Sequence, residues 1–408
     1  MSSVAGRTLV VGVCGGIAAY KVAGIVSTLV QRGADVHVVM TEAAQRFVAP
    51  LTFHALSANR VHTSLWEIRD REDHVLHVTL AHRAAALLIA PATADAIAKL
   101  VHGYAEDLLG AVALAARCPM ILAPAMNSSM WEHPATRANV AALRARGWQI
   151  VGPESGFLAE RERGVGRLAA EERIIAALED AVARTHELEG QHVLVTAGAT
   201  REAIDPVRFI SNASTGAMGI EIAREATLRG AQVDLVLGPT HLDPPHGARA
   251  HRVESAREMH ERVMALREGV HVIVAAAAVA DWRPAVIFVQ KVKKEDVDPM
   301  LRLERNPDIL AQLGAAKGAA FLVGFAAETE HVEEHAREKL ARKRLDLICV
   351  NDVSQPGIGF ASAENEMLLL WEHGREPLER ASKREIAARI WDRIATLRGA
   401  ERAHEGEA

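Results

Sequence analysis

The sequence predicts two consecutive α/β domains, each a Rossmann-like, doubly wound layer of parallel strands and helices. Three observations carry this. A chain of 408 residues is too long for one ordinary core. Short, near-continuously apolar runs alternate with amphipathic ones, as strands buried on both faces of a parallel sheet do. The alternation closes at Gly190 and restarts at Gln191, dividing the chain into residues 1–189, 190–398 and a polar tail, 399–408.

In the first domain Arg7–Val13 reads as a strand. Ile17–Arg32 reads as a helix, with Ile17, Tyr20, Ile25 and Leu29 at near-helical spacing. Asp35–Met40, Ala84–Ala90 and Met120–Ala123 are further strands, and Ala169–Glu189 is a helix that grows charged towards the boundary. In the second domain His192–Ala197, Gln232–Leu237, His271–Ala275, Phe321–Gly324 and Asp346–Val350 read as strands. Ala217–Leu228, Ala256–Arg267, Val332–Arg342 and Lys383–Leu397 read as helices.

Composition narrows the function classes. Hydrophobic residues make up 49 %, so burial is not limiting. A net charge of −5 without a long basic run argues against nucleic acid as a partner. No apolar stretch reaches the roughly 18 residues of a membrane span, and residues 1–6 lack the basic-then-apolar order of a signal peptide. Cys14, Cys118 and Cys349 are far apart and odd in number, which fits a reduced cytoplasmic protein with neither a disulfide framework nor a zinc site.

The first strand runs into Cys14-Gly15-Gly16-Ile17, and a helix follows. Glycines there let a phosphate approach the backbone, and the helix N-terminus offers N–H donors and a favourable dipole. The spacing is neither G-x-G-x-x-G nor a Walker motif, which disfavours a nicotinamide dehydrogenase. The second strand ends at Thr41, and the third at Pro91-Ala92-Thr93-Ala94. All three ends lie at the carboxyl edge, where open parallel sheets bind ligands. Gly15, Gly16, Ile17, Thr41, Pro91, Thr93 and Ala94 are therefore candidates for a mononucleotide pocket. Thr41 and Thr93 also suit helix N-caps, and the two roles are compatible.

Two further strings are more specific: Leu76-His77-Val78-Thr79-Leu80, and Pro124-Ala125-Met126-Asn127-Ser128-Ser129-Met130-Trp131. With the glycine turn they resemble the FMN-containing cysteine decarboxylases. Over nearly its whole length the chain resembles the bifunctional phosphopantothenoylcysteine decarboxylase/phosphopantothenate–cysteine ligases of coenzyme A synthesis. The resemblance implies a flavodoxin-like, FMN-binding first domain with His77 as base. It places Asn127 on the substrate carboxylate, with Met126 and Met130 beside it. It also implies that FMN oxidises the thiol end so that CO2 can leave, and that a flap cysteine then returns a proton. Here the chain departs from the family. In Gly152-Pro153-Glu154-Ser155-Gly156-Phe157-Leu158-Ala159-Glu160-Arg161 the cysteine position holds Glu160. Either Glu160, raised towards neutrality by burial, donates the proton, or another group or water does, or this half stops at the enethiol and serves as an FMN-bound scaffold.

The second domain resembles the ligase half. Asp205-Pro206-Val207-Arg208-Phe209-Ile210-Ser211-Asn212 precedes Ser214-Thr215-Gly216-Ala217-Met218-Gly219, where relatives commonly carry Lys in place of Ala217. Carried over by the resemblance, Arg208 and Asn212 engage the substrate's phosphate and acyl group, and Lys291 stabilises charge during amide formation. Ala275, Ala276, Ala277, Asp281, Pro307, Asp308, Ile309, Leu310, Phe325, Lys339 and Lys343 match the nucleotide segments. The implied reaction uses CTP and Mg2+ to form an acyl-cytidylate that cysteine's amine attacks, with Mg2+ held by phosphates rather than by a protein cage. The resemblance also implies a homo-oligomer: FMN sites between trimer subunits of the first domain, and dimers of the second.

Overall fold

A computed structural model describes residues 3–66, 75–159, 161–292, 300–328, 331–352, 362 and 364–405. The chain forms two compact units, Met1–Arg184 and Thr185–Ala408. The first runs β1 (Thr8–Val13), α1 (Ala19–Gln31), β2 (Asp35–Met40), α2 (Pro50–Ser57), α3 (Leu76–Arg83), β3 (Ala86–Ala92), α4 (Ala94–His102), α5 (Leu108–Ala115), β4 (Met120–Pro124), α6 (Ser128–Glu132), α7 (Pro134–Ala145), β5 (Gln149–Ile150), β6 (Glu154–Phe157), β7 (Arg163–Arg167) and α8 (Glu171–Ala183). Its sheet has the order β2-β1-β3-β4-β5. Strand β1 pairs in parallel with both β2 and β3, so the winding reverses between β1 and β3, at the switch point of a flavodoxin-like fold.

The apolar runs supply both faces of this sheet. Leu9, Val11 and Leu88 join one core with Ile25 and Phe53, while Val10, Leu87 and Ile89 join another with Ile97 and Leu122. Helix α1 buries Val22, Ile25, Val26 and Leu29, but Ile17 and Tyr20 are 62 % and 59 % exposed. The third strand is shifted from the predicted Ala84–Ala90 because Ala84 terminates α3, bonding Leu80. The predicted helix Ala169–Glu189 stops at Ala183. Beyond it the Thr185 and Leu188 N–H groups bond Leu228 and Arg229 carbonyls, and Leu188 is buried in the second core.

The second unit runs β8 (His192–Ala197), β9 (Arg201–Ala203), β10 (Phe209–Ser211), α9 (Ala217–Leu228), β11 (Gln232–Leu237), β12 (Arg249–Arg252), α10 (Ala256–Leu266), β13 (Val272–Ala275), β14 (Trp282–Pro284), β15 (Leu303–Arg305), α11 (Ile309–Ala316), β16 (Phe321–Glu328), α12 (Val332–Arg342), β17 (Leu347–Asp352), β18 (Glu364–Trp371), β19 (Gly374–Ser382) and α13 (Lys383–Glu405). Its eight-stranded sheet has the order β12-β11-β8-β13-β16-β17-β18-β19. The strands are parallel through β17, and β18 and β19 close the edge as an antiparallel hairpin. Helix α13 lies across α9, where buried Trp391 donates its indole N–H to the Ile222 carbonyl at 3.0 Å. It continues past Gly399, where the sequence suggests a tail, through residues that are mostly good helix formers. Inside the sheet Asp234 accepts from His192 and His251 at 2.7 and 2.6 Å. Among the described residues no helix is long and apolar enough to cross a membrane.

Candidate active sites

In the first unit a cavity of about 950 Å3 opens at the β1/β3 switch point, lined by Gly15, Thr41, Thr93, Ala94 and Met130 among others. The glycine turn leaves β1 here, and Thr41 and Thr93 follow β2 and β3. Both threonines cap: Thr41 Oγ1 accepts from the Ala44 N–H and Thr93 Oγ1 from the Ala96 N–H, each at 3.2 Å. Capping uses an oxygen lone pair, so each hydroxyl proton remains available to donate to an anion. Gly16 and Ile17 continue the turn into α1 and Pro91 is buried within β3; these three are not in the lining. Two hydroxyl donors and a helix start, gathered on one roomy cavity, fit a phosphate-bearing flavin. Cys14 also lines the cavity; its burial pushes the thiol up to about 12, so it stays protonated.

The Met126–Met130 segment borders this cavity, with Met130 in the lining. Asn127 caps α6 through its Oδ1, which accepts from the Ser129 N–H at 2.8 Å. The amide's donor end is left for a substrate carboxylate. Hairpin β6–β7 folds against the same segment. The Met126 N–H donates to the Gly166 carbonyl at 3.0 Å, and a Cβ at Gly166 would collide with the Met126 carbonyl oxygen. The tip is closed by a 2.9 Å bond from the Leu158 N–H to the Glu162 carbonyl; Glu160 lies outside the described residues. His77 is half-buried on α3, which packs on α5 and β1. It does not line the cavity.

In the second unit a cavity of about 460 Å3 is lined by Ala275, Ala277, Asp281, Pro307, Asp308, Ile309, Leu310, Phe325, Lys339 and Lys343, the nucleotide candidates apart from Ala276. Lys343 donates to Asp308 Oδ1 at 2.9 Å, and the same oxygen caps α11 through the Ala311 N–H at 3.0 Å. Burial alone would raise the Asp308 carboxyl, but Ala311 and Lys343, with Lys339 nearby, outweigh it and hold it below its usual range. Lys339 reaches the Phe325 carbonyl at 3.3 Å. Asn306 ties the loop before α11 to the segment just ahead of β14, its N–H bonding the Asp281 carbonyl and its amide the Ala280 carbonyl, both at 2.8 Å.

A second cavity of about 300 Å3 shares Ala277, Val279, Asp281, Phe325 and Lys339 with the first, and adds Ala276, Asn212 and the start of α9. Gly216 begins that helix at φ +80°, with Gly198 so close that a Cβ would lie 2.9 Å from its backbone. Asn212 Nδ2 donates to the Ala278 and Val279 carbonyls at 3.1 and 3.2 Å, so one of these bonds must be exchanged for Asn212 to hold an acyl oxygen. Arg208 sits elsewhere, gripping Asp205 at 2.9 and 2.6 Å. Those bonds hold the Asp205 carboxyl well below its usual range. Arg208 also bonds the Val292 carbonyl at 3.1 Å, which brings exposed Lys291 beside it. Neither Arg208 nor Lys291 lines the two cavities. Sequence reasoning missed Thr196 and Met259 in the first cavity, and Asn365 and Lys383 in the second. Ser382-Lys383-Arg384-Glu385, a capping box, was the available signal for Lys383. Among the described residues no group of three or more His, Cys, Asp and Glu side chains could hold a metal ion.

Fold and sites together define a two-part enzyme, a flavodoxin-like flavoprotein followed by a Rossmann-like nucleotide-binding unit. Residues 2–183 match the flavoprotein family model, and residues 188–397 match that of the DNA/pantothenate metabolism flavoprotein C-terminal domain. The chain is 44 % identical over 395 residues to the coenzyme A biosynthesis bifunctional protein CoaBC of Bacillus subtilis, covering 96 % of this chain and 97 % of the relative. Two solved structures resemble its halves. The C-terminal domain of a CoaBC protein is 39 % identical, covering 53 % of this chain and all of that one, with a TM-score of 0.46. The FMN-dependent cysteine decarboxylase SpaF is 32 % identical, covering 44 % and 97 %, with a TM-score of 0.39. The chain belongs to the CoaBC family of bifunctional coenzyme A biosynthesis enzymes, which join a flavoprotein decarboxylase to a ligase.

Proposed function

We propose that the second unit joins cysteine to 4'-phosphopantothenate at the expense of CTP, and that the first unit decarboxylates the product to 4'-phosphopantetheine. The observation that carries this is the pair of adjoining cavities in the second unit, with Asp308 and Lys343 lining one, Asn212 and the start of α9 lining the other, and Asp281 and Lys339 lining both. A carboxylate resists an amine because it has no leaving group. Its oxygen therefore attacks the α-phosphorus of CTP and pyrophosphate departs. Cysteine's amine then attacks the acyl carbon of the cytidylate, CMP leaves, and the amine's proton passes to solvent. Arg208 and Asn212 engage the substrate's phosphate and acyl group, Asn212 holding the acyl oxygen, and Lys291 meets the negative charge of that step. Mg2+ enters with the triphosphate.

Bound FMN supplies a reversible two-electron oxidation of the substrate's thiol end, which gives the departing carboxylate an electron sink. The backbone at Gly15, Gly16 and Ile17 and the hydroxyls of Thr41 and Thr93 hold its phosphate, while Pro91 and Ala94 shape the wall. Asn127 offers its amide N–H groups to the substrate carboxylate between Met126 and Met130. His77 acts as base from a neighbouring subunit of a trimer. Support for that assembly is its position away from the cavity and the exposure of Ile17, Tyr20 and Phe47 around the site. In the second unit Val207, Phe209, Trp282 and Val289 are exposed, as expected of a dimer that completes each site. The protein works in the cytoplasm.

The replacement at Glu160 favours a second reading, in which amide formation is intact and the first unit stops short of phosphopantetheine. The test of the main reading is CMP release that requires phosphopantothenate and cysteine together. CMP release without cysteine-dependent amide formation would refute it. Glu160→Gln tests the proton donor: amide formation should persist while the final product disappears, and an unchanged yield would reject Glu160.

A further inference from the structure

The second cavity of the ligase unit is lined, besides Asn212, by two more asparagines and two methionines: Asn351, Asn365, Met218 and Met367. Asn351 lies near the end of β17 and Asn365 near the start of β18. The two strands are antiparallel, so both asparagines lie at the sheet's carboxyl edge. Neither lines the nucleotide cavity. They are 9 % and 3 % exposed, and the Oδ1 of each is buried without a hydrogen-bond partner. An unpaired buried carbonyl costs stability, and two of them on one cavity call for a cause. Asn365 Nδ2 donates to the Met218 sulfur at 3.9 Å, a weak acceptor. An asparagine amide has a broad χ2 preference, so either oxygen can turn to a ligand in the cavity with little lost.

We infer that Asn351 and Asn365 recognise the amine of cysteine, the second substrate of the ligase half. The inference rests on the ligase reading above. Donor chemistry selects the ligand. Both side chains bring an uncharged acceptor in need of an N–H or O–H. Phosphate groups at neutral pH offer mainly acceptor oxygens, so the triphosphate of CTP and the phosphate of phosphopantothenate are poor partners for them. Mg2+ is held chiefly by the phosphates themselves. Cysteine's amine carries the missing N–H donors, and its thiol suits the polarizable sulfurs of Met218 and Met367 in the same lining. Asn212, which takes the acyl oxygen, lines this cavity and not the other. An amine held by Asn351 and Asn365 therefore reaches the acyl carbon while the nucleotide occupies its own cavity. In the step, the nitrogen lone pair bonds the acyl carbon and the nitrogen gains positive charge. The bond from that carbon to the cytidylate oxygen breaks, the electron pair leaves with CMP, and the spare amine proton passes to solvent. Two carbonyl oxygens on the N–H groups favour the charge as it grows on nitrogen.

The experiment uses the full-length protein. Exchange of labelled pyrophosphate into CTP, with phosphopantothenate and Mg2+ but no cysteine, reads the first step alone and reports that the unit is folded. Cysteine-dependent CMP release reads the second. Losing one hydrogen bond should raise the KM for cysteine about 5- to 20-fold in Asn351→Ala and in Asn365→Ala. Exchange and the KM for CTP should be unchanged in both. Asn365→Leu, which restores the lost volume without an acceptor, should behave as Asn365→Ala does. A wild-type KM for cysteine in both alanine variants, a rise confined to the KM for CTP or for phosphopantothenate, equal losses in the two steps, or recovery in Asn365→Leu would each overturn the assignment. Wild-type protein that forms no cysteine amide would instead sink the ligase reading on which the assignment stands.

Discussion

The start of α9 offers a sharp test of how the ligase site is built. Gly216 has φ +80° and ψ −2°, a left-handed conformation that costs an L-residue about 1–2 kcal/mol. An alanine there also places a Cβ 2.9 Å from both the Cα and the N of Gly198. These are backbone atoms, so relief requires one loop to move, at about 1–3 kcal/mol. Gly216→Ala should therefore destabilise the second unit by about 2–5 kcal/mol, a large part of the 5–15 kcal/mol typical of a domain. Gly190→Ala is the control. That glycine has φ +77° with nothing within 4 Å of the added carbon, so only the left-handed cost of about 1–2 kcal/mol applies. Denaturant unfolding of both variants, paired with CMP release, separates conformation from collision. Gly216→Ala should lose the larger share of stability and most of the ligase rate, with flavin binding unaffected. Equal destabilisation of the two variants, or a full ligase rate in Gly216→Ala, would refute the close approach as the reason for this glycine.

Three more outcomes follow from the same geometry. Lys343→Met removes the 2.9 Å partner of Asp308 inside the nucleotide cavity and should raise the KM for CTP about tenfold, measured by steady-state CMP release with phosphopantothenate saturating. Cys14 and Cys349 are fully buried, and burial pushes both thiols upward. Iodoacetamide at pH 8 should therefore leave both unmodified in the native protein, with all three cysteines labelled after denaturation, as mass spectrometry reads directly. For Asp234, burial opposes ionisation but His251 and His192 outweigh it and depress the carboxyl. A depressed carboxyl contributes stability above its unfolded value, about 3.9, and loses that contribution as pH falls through the folded one. Asp234→Asn should thus cost about 1–3 kcal/mol at pH 7, with the gap to wild type closing below about pH 4; a gap constant with pH would contradict this.

The parallel core was legible because its strands are buried on both faces and read as unbroken apolar runs. His192–Ala197 and Gln232–Leu237 have the predicted bounds. The ribbons β9–β10 and β14–β15 were not legible: each strand has three residues, largely exposed, and no periodicity to read. The edge hairpin β18–β19 does alternate, but pairing with a parallel strand is a tertiary choice that no local pattern encodes. The nucleotide candidates were named through the family resemblance, and the structure gathers all of them but Ala276 around one cavity. Lys383 and Asn365 were not, because each reaches the site through the register of β18 and β19. Asn127 and Thr93 show a different limit, since capping and ligand binding ask for the same residue types and the structure shows only the cap.

The central claim is that one chain performs both steps although Glu160 stands at the flap cysteine position. Purified protein supplied with 4'-phosphopantothenate, cysteine, CTP and Mg2+, with every product resolved by mass, tests it most directly. The account predicts full conversion to 4'-phosphopantetheine with CO2 released in equal amount. Accumulation of phosphopantothenoylcysteine, or of an enethiol two hydrogens short of the final product, would contradict it and leave the first unit as a flavin-binding scaffold for a working ligase.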